Sequence, residues 1–296
     1  MLKAMSAQQH YGGHSMVSEL ERVLVYRPES ALAKADPHLW HYTSPISLDK
    51  AQQQHDELVA QLKKQQVEVI YHAYSNHQLA DAIFVHDPIL MTNAGAIILQ
   101  MGKILRRGEE ALLKKTLTKL NIPIVGELFG EATVEGGDLL WLNEHTLLVG
   151  SGFRTNEAGI LQLRQLLTPL QVNLIDFDLP FFQGKEACLH LQSLISLISN
   201  ECALVYLPLL PTALYQLLIK NKFTLIELPE EEFITMGGNV LAIKPNLVLA
   251  LQGNPLTKKR LEAHGVEVLT YPGDELSLKT EGGPTCLTRP LKRKNA

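Results

Sequence analysis

Cysteine is scarce, an excess of positive charge is absent, and long apolar runs are almost missing. Three cysteines, Cys188, Cys202 and Cys286, stand among 296 residues. That is too few for a disulfide framework or a four-thiolate zinc site, and no C-x-x-C or H-E-x-x-H occurs. The odd count suits a reducing compartment. With 27 Lys and Arg against 31 Asp and Glu, the formal net charge is −4. Nothing in this balance suggests a nucleic-acid electrostatic footprint, though it leaves room for a local patch that takes an anionic group. The start, MLKAMSAQQHYGGHS, has no apolar core, so no signal peptide is expected there. One stretch, Cys202 to Ile219, carries no charge over about the length that spans a bilayer. Pro208 and Pro211 lie inside it and would break a helix. It reads as strand, PLLP turn and buried helix. A soluble cytoplasmic protein without membrane contact is expected.

Linkers and low-complexity segments are also absent. The expectation is one domain over residues 1–296, with residues 1–15 as a loosely ordered arm. What is present is a repeat, in pattern and not in letters. An apolar strand leads to an amphipathic helix and then to another apolar strand. In the first unit VLVY (Val23 to Tyr26) precedes a helix near Asp49 to Gln65. Ala51, His55, Leu58 and Leu62 share one face of it. VEVIYH follows from Val67. Later units have helices near Gly108 to Leu120, Thr155 to Leu167, after PLLP, and Pro255 to His264. The strands after them begin near Pro123, Val172, Phe223 and Val266, so the period is roughly 50 residues. Most helices follow two strands, not one. That favours a ring of five strand-rich units, each capped by a helix, around a central channel. A doubly wound sheet is the rival architecture.

Polar residues concentrate where strands meet: DAIFVHDP (Asp81 to Pro88), EGGD (Glu135 to Asp138), FRTN (Phe153 to Asn156), LHLQS (Leu189 to Ser193), MGGN (Met236 to Asn239) and GGPTCLTR (Gly282 to Arg289). Each has a bland reading. A histidine before an apolar strand, as at His190, more often serves structure. A lone thiol is more often inert. Gly136 and Gly137 could serve only a turn, and His86 with Asp87 could be surface residues. Together they read differently. Cys286 follows a flexible GGP turn, a setting for a nucleophilic thiolate. A histidine from elsewhere would supply acid–base chemistry, and carboxylates would hold a cation. Attack on a planar, positively charged guanidinium carbon fits that set.

The motifs, from YGGHSM and VLVYRP through RRGEE to GGPTCLTRPL, resemble the guanidino-group-modifying superfamily, the pentein fold. The resemblance covers almost the whole chain. It extends to bacterial proteins described as dimethylarginine dimethylaminohydrolase-like or arginine deiminase-like. It implies a five-fold pseudo-symmetric α/β propeller of ββαβ-type repeats with the active site in the central channel. It implies Cys286 as nucleophile, His190 as general acid and base, and Asp87 and Glu135 as carboxylates that hold the guanidinium. It also implies Asp81 near the substrate's amino-acid end. Arg154 and one of Arg106 or Arg107 would bind the α-carboxylate, and Asn239 stands in a shared motif. Two departures bear on the substrate. Gln192 replaces an aspartate usual in arginine deiminases, and His86 stands where relatives often have Arg or Glu.

The implied reaction is hydrolysis of dimethylarginine to citrulline and dimethylamine through a covalent thiouronium, with no metal or cofactor. An arginine deiminase, arginine dihydrolase or amidinotransferase of the same fold is the alternative. A catalytically silent binding module is another, and a cysteine peptidase lacks any supporting signature. The expected partner is a small guanidino compound, and a homodimer is the expected assembly.

Overall fold

In the computed structural model, which describes residues 9–294, five separate three-stranded sheets replace the single sheet of a doubly wound fold. Each unit is an antiparallel strand pair, then a helix, then a third strand parallel to the middle one. The second unit sets Ile89–Thr92 against Gly95–Ile98 and returns through the helix Glu109–Lys119 to Ile124–Glu127. The third sets Leu139–Asn143 against Thr146–Ser151 and returns through Glu157–Leu167 to Asn173–Asp178. The fourth and fifth repeat this with Ile195–Ser199, Cys202–Val205 and Thr224–Glu227, and with Leu241–Lys244, Leu247–Leu251 and Glu267–Tyr271. The chain is a five-fold pseudo-symmetric α/β propeller. The uncharged stretch resolves into the strand Cys202–Val205, a 3-10 turn at Leu207–Leu209 and the helix Thr212–Lys220. Among the described residues no helix is long and apolar enough to cross a membrane.

The first unit departs from the expected pattern in one respect. Leu20–Val25 pairs parallel with Glu68–Tyr71 across the helix Leu48–Lys64, and its antiparallel neighbour is the C-terminal strand Thr288–Arg293. The end of the chain thus closes the ring. Residues 1–8 of the expected loose arm lie outside the described residues. Residues 9–15 are docked: Gly12 donates to Leu291 O at 2.8 Å, and His14 stacks on Trp141 with ring centroids 4.1 Å apart.

Burial explains the pattern. Middle strands are mostly buried and apolar, as in the LVLAL of Leu247–Leu251. The outer strands, such as Ile124–Glu127, alternate with solvent. The predicted face Ala51, His55, Leu58 and Leu62 is fully buried. Helix starts are fixed by side chains where the site needs them. Asn156 of FRTN accepts from Gly159 N at 2.8 Å and from Thr133 N at 3.0 Å. It caps one helix and ties it to the EGGD segment.

The pseudo-symmetry also places the chemistry. Asp87, Glu135, His190, Asn239 and Cys286 each lie within a few residues of the first strand of a unit, Cys286 before the closing strand. Five equivalent junctions deliver five side chains to one region of the ring.

Candidate active site

Cys286 sits at the end of the GGPT turn and keeps some exposure. Asn239 arranges that turn. Its Oδ1 accepts from Thr285 N at 3.0 Å, and its Nδ2 donates to Cys286 Sγ at 3.2 Å. Gly283 packs flat against Asn239, where a Cβ would fall 2.5 Å from the amide carbon. Burial first, and then the negative charge of Asp87, push the Cys286 thiol up to about 11, against the opposing pull of Asn239 and His190. The resting group at neutral pH is a thiol.

His190 opens a short helical turn at Leu191–Leu194, where Ser193 Oγ accepts from its backbone N at 3.1 Å. Asp138 Oδ1 accepts from Leu191 N at 3.0 Å. The ring meets Glu135 Oε2 through Nε2 at 2.8 Å and Cys188 Sγ through Nδ1 at 3.6 Å. Burial would lower its pKa, but Cys188, Asp138 and Glu135 outweigh that and hold His190 well above the ordinary range. The shift favours the protonated, imidazolium form of the ring. With Nε2 engaged by Glu135, Nδ1 is the ring nitrogen on the side of Cys188, which lines the cavity.

Glu135 is fully buried, and both its oxygens are engaged. Oε1 accepts from Gly102 N and Lys103 N, each at 3.0 Å, and Arg154 Nη1 lies 3.2 Å from Oε2. Burial would raise its pKa, but His190 and Arg154 overcome that and hold it below the usual carboxylate range. Asp87 is different. Oδ1 accepts once, from Gly137 N at 2.9 Å, and Oδ2 once, from Arg106 Nη1 at 2.7 Å. Each oxygen retains capacity for a further donor. Burial opposes ionisation there too, yet Arg106 and His190 keep Asp87 below its ordinary pKa. Only Asp87 of the two lines the cavity beside Cys286.

That cavity has an inner part of about 40 Å³, with Asp81, Asp87, Lys103, Arg106 and Arg154 in its walls. It adjoins an outer chamber of about 360 Å³ walled by Phe182, Phe233, Ile234 and Met236. Cys188, His190, Glu281 and Cys286 line both. A chamber of that size takes a small molecule. At the mouth His41 meets Glu186 at 3.3 Å. Among the described residues, no group of three or more His, Cys, Asp or Glu is arranged to hold a metal ion.

Gly137 is required by this packing, because a Cβ there would fall 2.7 Å from His190 Cγ. Gly137→Ala should therefore push the ring out of place. A shift of order 1 Å costs catalysis roughly 100-fold, and overpacking costs about 1–3 kcal/mol of stability. Steady-state kinetics and thermal melting check both.

The sequence model of a family described as N,N dimethylarginine dimethylhydrolase, eukaryotic, matches residues 31–293. The chain belongs to this family. It is 26% identical to the N(G),N(G)-dimethylarginine dimethylaminohydrolase of Pseudomonas aeruginosa, over 81% of this chain and 87% of that one. It is 28% identical to the uncharacterized protein YkgA of Bacillus subtilis, over 93% and 92%. An arginine deiminase of Mycoplasma capricolum is 29% identical over 73% of this chain, which spans 62% of that protein. Among solved structures, the P. aeruginosa enzyme complexed with citrulline superposes with a TM-score of 0.76 at 23% identity, over 91% of this chain and 98% of that one. The N-terminal domain of a cyanobacterial arginine dihydrolase gives 0.79 at 19%, over 93% and 98%. The chain is a guanidino-modifying hydrolase of the pentein fold.

The structure does not bring all of the expected site residues to the cavity. Glu135 was expected to hold the guanidinium, but its oxygens are engaged and it is walled off. It is placed to orient His190. Arg106 is not a free carboxylate binder. It is buried, forms a fork on Glu109 with contacts of 2.8–3.2 Å, and holds Asp87. Arg107 does not reach the site at all. It lines an open groove of about 850 Å³ on the outside of the ring with Tyr74 and Lys114. His86 does not meet the substrate cavity either. Its Nδ1 faces Thr288 O at 3.1 Å, its Nε2 lies 3.0 Å from Gln192 Nε2, and burial lowers its pKa to about 3. It is a neutral ring with Nδ1 as donor. Gln192, which also donates to Leu139 O at 2.6 Å, faces away with it. Arg154 and Asp81 do line the inner cavity.

Some contributors were not singled out in advance. Lys103 pairs with Asp81 at 2.7 Å and lies over Trp40, and Tyr42 OH donates to Asp81 Oδ1 at 2.7 Å. Cys188, read as one of three ordinary thiols, touches His190. Its only sequence signal is its place two residues before LHLQS's histidine. Thr155 ties FRTN to Asp138 at 2.6 Å.

Proposed function

We propose that this protein hydrolyses a guanidino carbon through a covalent intermediate on Cys286, with dimethylarginine as substrate and citrulline and dimethylamine as products. The observation that carries the reading is the convergence on one cavity of a thiol, an imidazolium and Asp87, a carboxylate with unfilled acceptor positions.

The bound guanidinium donates to Asp87, a charge-assisted contact worth about 1.5–3 kcal/mol per bond. Its positive charge beside Sγ lowers the thiol's pKa, which His190 cannot do by accepting a proton because it already carries one. The Cys286 proton leaves to solvent. The thiolate then adds to the guanidino carbon, and His190 gives its Nδ1 proton to the dimethylamino nitrogen. That C–N bond breaks and neutral dimethylamine leaves. An S-alkylthiouronium cation remains. Neutral His190 takes a proton from water as the hydroxide adds to the carbon. Collapse breaks the C–S bond, the hydroxyl proton passes to the departing sulfur, and Cys286 is restored as a thiol as the ureido product leaves. Glu135 acts through His190, holding the ring and favouring its charged form. Lys103, Arg154 and Asp81 surround the substrate's amino-acid end.

The dimethylated substrate is favoured over arginine by Gln192, which supplies no carboxylate and faces away from the cavity. The test is a product assay by mass spectrometry with asymmetric dimethylarginine, monomethylarginine, arginine, agmatine and citrulline. Dimethylamine and citrulline from the first are expected. Citrulline or ornithine from arginine alone would reassign the chain to the deiminase or dihydrolase branch. Absence of product from all five would overturn the proposal.

The thiol's state gives a second prediction. Alkylation of Cys286 by neutral iodoacetamide should rise about tenfold per pH unit from pH 7 towards about 11, because only the thiolate reacts. A positively charged alkylating amidine should react faster than iodoacetamide at pH 7. A bound guanidine should shield Cys286 and Cys188, which share the cavity, and leave Cys202 unaffected. Peptide mass mapping reads all three.

A further inference from the structure

Behind the active site the ring holds a second cavity of about 30 Å³. His86, Gln192, Ser196, Thr285, Arg289 and Arg293 are among its walls. Two of these are buried cations, Arg289 at 7% and Arg293 at 2% exposure. Arg289 donates to His86 O, and Arg293 donates to Ser18 O at 2.6 Å and Ala242 O at 2.8 Å. Among the described residues these carbonyls are their partners, and neither Arg meets a carboxylate. The Nε of each has no hydrogen-bond partner there. Both guanidinia stand on the closing strand Thr288–Arg293.

Buried charges are ordinarily paired. Carbonyl dipoles satisfy some N–H groups but supply no counter-charge. Asp87, the acid acting on Arg289, is already engaged by Arg106. His86 is neutral and adds nothing. Burial pushes each arginine down to about 9, so both remain charged at neutral pH. The hydroxyls of Ser196 and Thr285 already donate to Gly238 O and Val240 O. The unmatched groups are therefore two guanidinium charges and their Nε donors.

We infer that this cavity binds one small inorganic anion of halide size, held by Arg289 and Arg293. Its volume admits one or two water-sized particles. That is too little for a carboxylate-bearing metabolite. The anion neutralises the closing strand, whose preceding turn carries Cys286, so its binding should secure the ring's closure.

The test uses the intact wild-type protein, melted in sodium chloride and in sodium gluconate at matched ionic strength. Gluconate is too large for the cavity. In chloride Tm should rise by roughly 3 °C for each tenfold increase above Kd. Crystals soaked in bromide should show an anomalous peak in contact with both guanidinia. Arg293→Met should lose the chloride dependence. A chloride dependence that persists in a folded Arg289→Met, Arg293→Met double variant would overturn the inference, since the salt would then act elsewhere. If those variants do not fold, the wild-type anomalous map decides. No peak at saturating bromide means that water alone occupies the cavity, and overturns the proposal whatever the melting curves show.

Discussion

Replacing Cys286 with serine is expected to lower kcat at least about 1,000-fold, since removing a covalent nucleophile leaves only binding and positioning. The hydroxyl keeps the shape and still accepts from Asn239, so the melting temperature should stay within a few degrees of wild type. A hydroxyl is also far harder to ionise than a thiol. In the proposed mechanism a cation held by Asp87 would lower the sulfur's pKa from about 11 into a useful range, but it would not do the same for serine. The variant should therefore bind guanidino compounds without turning them over. Intact-protein mass spectrometry separates the cases: a substrate-derived adduct accumulates on wild type under rapid quench and never on Cys286→Ser. Retained turnover in the variant would remove Cys286 from the mechanism.

Glu135→Gln is expected to produce the second large effect, on stability and activity together. The carboxylate is fully buried between His190, Arg154 and two backbone N–H groups. Removing its charge leaves two buried cations short of a partner, a loss of about 3–5 kcal/mol. His190 would lose its charged form more readily and its orientation, and kcat should fall about 100- to 10,000-fold. The pH dependence distinguishes this from simple unfolding. His190's folded pKa is raised above 6.5, so its contribution to stability is fully present below about pH 6.5 and fades as pH rises through the folded value. Glu135's folded pKa is lowered below 4.5, so its contribution is present above about pH 4.5 and is lost as pH falls through the folded value. The pair therefore stabilises wild type most between those limits. In Glu135→Gln the acid-side loss from residue 135 disappears, and the alkaline-side loss from His190 moves to lower pH. Urea midpoints between pH 3 and 9 would show it. An unchanged pH profile would mean that Glu135 does not act through His190.

Much of this protein was legible in local pattern. Apolar strands and amphipathic helices recur because each unit must bury one face against the ring. The third strands begin at Glu68, Ile124, Asn173, Thr224 and Glu267, each one residue past its expected start. The junction motifs also stood out, because a thiol, a histidine and several carboxylates recur at strand junctions in a combination that suits one chemistry, although each residue alone has a structural reading. Cys286, His190, Asp87, Asp81 and Arg154 do converge. What sequence could not separate was which polar residue faces substrate and which supports its neighbour. Asp87 and Glu135 are both acids beside glycines, yet one has vacant acceptor positions in the cavity and the other is surrounded by donors. Arg106 and Arg107 are adjacent letters, yet one is buried in an ion-pair network and the other lies outside the ring. His86 and Asp87 are adjacent as well, and they face opposite ends of the channel.

The amino-acid sequence by itself determined the five-unit ring and the reactive residue types, because strand and helix periods and junction chemistry are local. Only the tertiary structure decided that the C-terminal strand closes the first unit, that Cys188 stands against His190, that Glu135 is enclosed by donors while Asp87 keeps vacant acceptor positions, and that Arg289 and Arg293 share a buried cavity. Each of these depends on how residues distant in the chain meet around one axis, and on which polar groups are left unmatched once they do.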